Sequence, residues 1–253
     1  MKAKPNFTKK DFIVTFASIV FLLANIAAIG TSGRRRAKEA VCLSNLQNWG
    51  NIFKAFINDN DGFLMQGWYE GPSYRWYNAL RPYYSDNKEL LLCPMAVKPV
   101  ESGLGGGTFK AWVYENNHGS YGICSCILNQ ESADFWRRTD VVGTDNIPLL
   151  LDAQWYTSYP WWTNTPPEYE GAVWNPGGTQ TGGGMGIYCI PRHYGAINGL
   201  FIDFSARKIG LKQLWLLKWC RNYNVSRASE NEPDWENTGT GWMLPLKDYD
   251  YIP

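Results

Sequence analysis

The hydrophobic pattern of this chain changes period twice. Residues 12–30, FIVTFASIVFLLANIAAIG, carry no charge. As a helix rising about 1.5 Å per residue they would extend roughly 28 Å, close to the hydrocarbon thickness of a bilayer. Beyond them apolar residues recur at Cys42, Leu46, Trp49, Phe53 and Phe56, spaced 4, 3, 4 and 3, which is the single stripe of an amphipathic helix. Together the two stretches predict one long helix, lipid-like in its first half, partner-facing in its second, and loosened at Gly30 and Gly33. The run NDNDGF at 58–63 should end it, since Asn and Asp tolerate left-handed backbone and Gly62 supplies it. A calcium loop fails there. With Gly62 as the turn glycine, Ile57 takes the first ligand position and Trp68 the place of the bidentate acid.

After the helix the period becomes short and irregular. Residues 74–84 suit a short helix and 90–93 a short buried segment stopped by Pro94. TFKAWVYE and SYGICSCILN read as strands with His118 in a loop between them, and IPLLLD, ending in Asp152, as the most apolar buried strand. IYCIPRHYGAINGLFIDFSARKIG reads as two strands around a turn, followed by an amphipathic helix presenting Leu211, Leu214, Trp215 and Trp219. Between these lies an insertion at about 153–186, dense in Trp, Tyr, Pro and Gly and without a period, long enough to be a functional or interaction surface. Its aromatics suit stacking on sugar rings or packing on the domain or a neighbouring copy. The scarcity of charged and amide side chains there favours packing.

Composition narrows the classes. With 24 basic and 23 acidic residues the net charge is +1, and the one dense basic cluster, 34–38, adjoins the apolar run, so nucleic acid is not an expected partner. Six cysteines suit an oxidising compartment. Cys124 and Cys126 form CxC, not a redox CxxC, and neither metal nor cofactor is expected. Six cysteines allow fifteen full pairings. Cys42 on the helix stripe and Cys93 at the end of an apolar segment form a candidate disulfide, whose loop of roughly 50 residues would contribute about 4 kcal/mol. The glycine run at 101–107 lacks the lysine that closes a phosphate loop.

A cleavable secretory signal competes with the long helix, but no small-x-small site precedes a break and the helical period continues past the apolar run. The start, NFTKKDFIVTFASIVFLL, resembles the type IV pilins and type II secretion pseudopilins, with Phe7 in the place of the first mature residue and Asp11 in that of the glutamate at the fifth mature position. Asn6 stands where those leaders end in glycine. CLSNLQNWGNIFKAFINDNDGF, and a histidine separated by nine residues from an aspartate, here His193 and Asp203, are similar to a pilin-like group found in planctomycetes and their relatives. Phe204 replaces the glycine that follows the aspartate in that group.

The resemblance implies an α+β, pilin-like fold: a leader at 1–6, a transmembrane and filament-core helix at 7–33, its amphipathic continuation at 34–62, and a β-rich domain at 63–253 built on a small antiparallel sheet. It implies a polymer of identical chains, held in the inner membrane with a cytoplasmic N-terminus, cut after Asn6 by a prepilin peptidase and drawn by assembly machinery into a periplasmic or extracellular filament. Asp11 would then meet the new amine of Phe7 in a neighbouring copy or, as the alternative, Lys9 or Lys10 of an adjacent helix, for which cleavage is not needed. His193 and Asp203 are expected to form a structural hydrogen bond worth about 1.5 to 3 kcal/mol, with no catalytic residues. A membrane-tethered carbohydrate-binding module is the alternative, and an enzyme using His193, Asp203 and Asp152 ranks third, for want of any nucleophile motif.

Overall fold

The structure, a computed structural model, describes residues 8–67, 71–101, 103, 105–167 and 183–228, with the side chains of 23–29 and 31 outside that description. The chain divides into two units, Met1–Lys38 and Glu39–Pro253.

Helix α1 runs Lys9–Asp59, 51 residues, through Gly30 and Gly33 without a break. Its start is a capping box: the Asp11 carboxylate oxygen Oδ2 accepts from the Thr8 backbone N–H at 2.8 Å and from the Thr8 hydroxyl at 2.6 Å, while the Thr8 hydroxyl accepts from the Asp11 N–H at 3.3 Å. Within the first unit Phe12, Phe16 and Phe21 are 67, 62 and 69 % exposed. Among the described residues no helix is long and apolar enough to cross a membrane.

Within the second unit the predicted stripe is the core's spine. Cys42, Leu46, Trp49 and Phe53 are fully buried and Phe56 nearly so. Trp49 meets Trp76 and Tyr84 edge-on at 5.2 and 5.1 Å, and its indole N–H donates to the Leu90 carbonyl at 2.7 Å. The helix ends where the sequence indicates: the Gly62 N–H reaches back to the Ile57 carbonyl at 2.9 Å with Gly62 at φ 83°. Two short helices follow, α2 (Trp76–Ala79) and α3 (Arg81–Tyr84).

A three-stranded sheet comes next, β1 (Lys98–Pro99), β2 (Lys110–Tyr114) and β3 (Asn117–Gly119), with β1 parallel and β3 antiparallel to β2. His118 therefore lies in a strand, opposite Val113, not in a loop. Positive φ at both Glu115 and Asn116 gives the β2–β3 hairpin the backbone twist of a type I′ turn. The larger sheet comprises β4 (Tyr121–Cys124), β5 (Pro148–Asp152), β6 (Thr157–Ser158), β7 (Ala196–Phe201) and β8 (Ala206–Gly210), in the order β6-β4-β5-β7-β8. Its neighbours are antiparallel except β4 with β6. All five residues of β5 are buried, as a central strand covered on both faces requires. The fold is thus mixed α and β with largely antiparallel sheets.

Three further expectations are corrected. The segment after β8 is not an amphipathic α-helix but a five-residue 3₁₀ turn, Lys212–Leu216, after which the chain extends. Leu211, Leu214, Trp215 and Trp219 are buried as expected, yet the Lys218 N–H donates to the Asn146 carbonyl at 2.9 Å and the Asn146 side-chain amide donates to the Leu216 carbonyl at 2.9 Å, so these backbone groups are taken from an α-helical ladder. The Cys42–Cys93 bridge is absent: both are free thiols, and the disulfide joins Cys126 to Cys220 across a sequence separation of 94. Asp203 does not pair with His193. It is exposed in the β7–β8 turn, where its carboxylate accepts from the N–H and hydroxyl of Ser205. In that turn Phe204 adopts φ 67°, the left-handed backbone that glycine takes without strain.

Part of the aromatic insertion packs inward, while Tyr159 is exposed and Trp161 and Trp162 are half-buried. Trp155 and Tyr156 are buried, and Tyr156 stacks on Tyr114 at 5.2 Å with the Arg75 guanidinium over the Tyr114 ring. Residues 168–182 of the insertion and the leader with Asn6 and Phe7 lie outside the described residues.

Candidate functional site

Asp152 is the one ionisable side chain in the apolar run IPLLLD, and β5 carries it into the interior at zero exposure. A carboxylate there needs compensation, because an unpaired buried charge is costly. The next strand supplies part of it: β7 runs antiparallel to β5 with Gly199 opposite Leu151, which brings the Asn198 N–H to Asp152 Oδ2 at 2.8 Å. The turn leading into β7 supplies the rest. Arg192 Nη1 lies 2.8 Å from Asp152 Oδ1, and His193 Nε2 lies 3.1 Å from Oδ2.

Arg192 is fully buried and fully used. Its guanidinium donates to Asp152 and to four carbonyls, those of Gly107, Thr108, Ser120 and Ala153, so the cation ties three segments together without an orphaned N–H. His193 has its backbone fixed by donation to the Ala196 carbonyl at 2.8 Å. Its ring faces two groups through one nitrogen, since Nε2 is also 3.4 Å from the Cys93 sulfur, while Nδ1 is buried without a hydrogen-bond partner.

The two thiols arrive from elsewhere. The α1 stripe delivers Cys42, whose sulfur lies 3.7 Å from both oxygens of Asp152 and accepts from the Tyr121 hydroxyl at 3.3 Å. Cys93 follows the 3₁₀ turn Lys88–Leu91 and donates its backbone N–H to the Ser120 hydroxyl. One ligand-type atom from each of Cys42, Cys93, Asp152 and His193 falls within 4.8 Å of all the others, and all four residues are buried.

The electrostatics follow from this arrangement. Burial alone would push the Asp152 carboxyl up, but the adjacent His193 and Arg192 hold it well below the usual carboxylate range. Burial would lower His193, and the Asp152 carboxylate overrides it and lifts the imidazole to about 9. Cys93, penalised by burial, is nonetheless drawn down to about 7 by Cys42, His193 and Arg192. Burial, Cys93 and Asp152 push the Cys42 thiol well up, and burial does the same to Tyr121.

A catalytic triad would set the base between nucleophile and carboxylate through its two different nitrogens, and would open onto a cleft. Here both partners share Nε2 and every member is enclosed. The arrangement can therefore hold charge, a proton or an ion, without access for a substrate.

Of the residues singled out by sequence, Cys42, Cys93 and His193 meet in one place, Asp203 stands apart, and Asp11 is occupied at the start of α1. Arg192 and Tyr121 were missed, and Asp152 was not recognised as the partner of His193. One signal was available: a lone acid ending an otherwise apolar strand, and an arginine directly before the histidine. No known protein family, curated protein or solved structure matches the chain.

Proposed function

We propose that this chain is a structural subunit of a pilin-like filament, polymerising with copies of itself through the N-terminal part of α1. The observation that supports this is the surface of that segment. Eight large apolar side chains between Phe12 and Leu22 are exposed, and a contiguous apolar patch of this kind on a soluble protein marks an interaction surface. At about 1.5 to 3 kcal/mol for each side chain fully buried, covering them is worth on the order of 10 kcal/mol, comparable to the whole stability of a domain. Neighbouring copies of the same helix offer such cover.

The same proposal includes an inner-membrane stage before assembly, with the N-terminus cytoplasmic, and cleavage after Asn6. The described residues do not by themselves form a helix long and apolar enough to cross a membrane, so the weight rests on burial against other copies. Asp11 belongs to this reading in two ways. It caps α1 through Thr8, and its carboxylate suits the amine of Phe7 in an adjacent subunit once the leader is removed. Turnover is not part of the proposal, and the enclosure of His193 and Asp152 supports leaving it out.

The test is a charge placed on the exposed face. Ile19→Asp should remove fibres from the sheared surface fraction of producing cells while leaving the melting of the second unit unchanged. A wild-type yield of fibres from that variant would refute the proposed contact.

A further inference from the structure

The buried group in the second unit has a chemistry that a filament subunit does not call for. Four side chains of metal-ligating type, two thiols, an imidazole and a carboxylate, converge from four segments far apart in sequence. In a tetrahedral zinc site with Zn–S near 2.3 Å and Zn–N or Zn–O near 2.0 to 2.1 Å, neighbouring ligand atoms lie about 3.3 to 3.8 Å apart. The separations here are 3.7 Å from the Cys42 sulfur to Asp152, 3.4 Å from the Cys93 sulfur to His193 Nε2, and 3.1 Å from His193 Nε2 to Asp152. Three edges of the tetrahedron are thus already present to within a few tenths of an ångström.

The geometry points to a structural zinc site formed by Cys42, Cys93, Asp152 and His193, with Arg192 as its outer support. Formal charge agrees. Zn²⁺ with two thiolates, one carboxylate and a neutral imidazole sums to −1, which the fully buried Arg192 guanidinium brings to zero. Arg192 also engages the Asp152 oxygen that His193 does not, which orients the carboxylate as outer hydrogen bonds do around metal ligands. Four protein ligands fill the coordination shell and leave no position for a substrate, so the metal's role is to pin α1 to β5 and to the turn before β7. Because the site is enclosed, the ion enters as the domain folds, and its binding displaces the thiol protons to solvent.

The competing occupant of this space is a Cys42–Cys93 disulfide, which would remove two of the four ligands. The test uses the full chain purified without reductant, so that Cys126–Cys220 is kept. Its metal content is measured, the metal is removed by unfolding the chain in a chelator with the disulfide intact, and the chain is refolded in the presence of Co²⁺. The inference expects about one zinc per chain, and on adding Co²⁺ both the ligand-field bands of a tetrahedral ion and thiolate charge-transfer absorption. Cys42→Ser and Cys93→Ser should each halve the charge-transfer intensity and weaken binding about tenfold or more, with Cys124→Ser, a buried thiol outside the group, unchanged. Absence of thiolate charge transfer in the wild-type protein would overturn the site without recourse to any variant. So would mass-spectrometric detection of a Cys42–Cys93 bridge, or full intensity in both serine variants.

Discussion

The two units of this chain use apolar residues in opposite ways. Between residues 12 and 22 large apolar side chains lie exposed, whereas from Cys42 to Phe56 the same helix buries every member of its stripe. The sequence already distinguishes the two: the first stretch is apolar all round, and the second confines its apolar residues to one face. A stripe needs one partner, which the domain provides through Trp76, Tyr84 and the sheet. A helix apolar all round needs cover on every side, which the described residues do not supply to residues 12–22. Completion inside the fold on one side and completion by other copies on the other is the division of labour that the proposed filament requires.

The largest expected effect tests that division directly. Trp49→Ala removes a fully buried indole and its hydrogen bond to Leu90, and should cost the second unit about 3 to 5 kcal/mol in denaturant unfolding. Phe16→Ala, on the exposed stretch, should change the same unfolding curve by no more than about 0.5 kcal/mol and show itself in fibre yield instead. Equal effects on stability would erase the distinction.

The second contrast lies between the interior and the surface of the domain. His193→Ala leaves Asp152 buried with one cation fewer, a loss of about 3 kcal/mol. Asp203→Ala touches only an exposed turn and should cost at most about 1 kcal/mol. Thermal unfolding of the two variants side by side checks this, and the reverse order would restore the pairing expected from sequence.

That pairing failed for a geometric reason. His193 precedes β7 and Asp203 follows it, so six extended residues at about 3.3 Å each hold them roughly 20 Å apart. Nine intervening residues look close in sequence and are far apart along a strand. Local features were legible because period and turn chemistry determine them: the stripe at Cys42 to Phe56, the Gly62 stop, the buried strand ending in Asp152, and the β7–β8 hairpin. The thiol–carboxylate group was not, since it depends on which face of the sheet the helix crosses and on how Arg192 folds back over β5. Cysteine pairing was illegible for the same reason, and the bridge to Cys220 closes a loop no periodicity marks.

A third expectation concerns pH in the metal-free protein. His193, raised from 6.5 to about 9, stabilises fully below pH 6.5 and loses that contribution as pH climbs through 9. Cys93, lowered from 9.0 to about 7, does the opposite: its contribution is complete above 9 and disappears as pH falls through 7. Asp152 and Arg192 keep their charges over this range, and Cys42 and Tyr121 stay neutral. The two changes offset each other in the wild type between pH 7 and 9. Cys93→Ser removes one of them, so its stability should fall more steeply from pH 6.5 to 9 than that of the wild type, as read from denaturant midpoints. Loading zinc reverses the trend, because the ligands must lose protons to bind.

The smallest effect on stability belongs to the start of the helix. Asp11→Asn keeps an oxygen for the Thr8 N–H but gives up the charge, and should reduce helix content near residue 8 by the equivalent of at most about 1 kcal/mol, seen as faster amide exchange there. Asp11→Ala should also abolish or strongly reduce fibres, as the proposed contact with Phe7 requires.

The central claim is self-assembly through residues 9–22. Cryo-electron microscopy of fibres sheared from producing cells tests it most directly. The account predicts fibres built of this chain, with Phe12, Phe16 and Ile19 of each copy packed against neighbouring helices in the fibre core and the 39–253 domains outside. Fibres in which these side chains face solvent, or a sheared fraction in which the chain is present only as monomer, would contradict it.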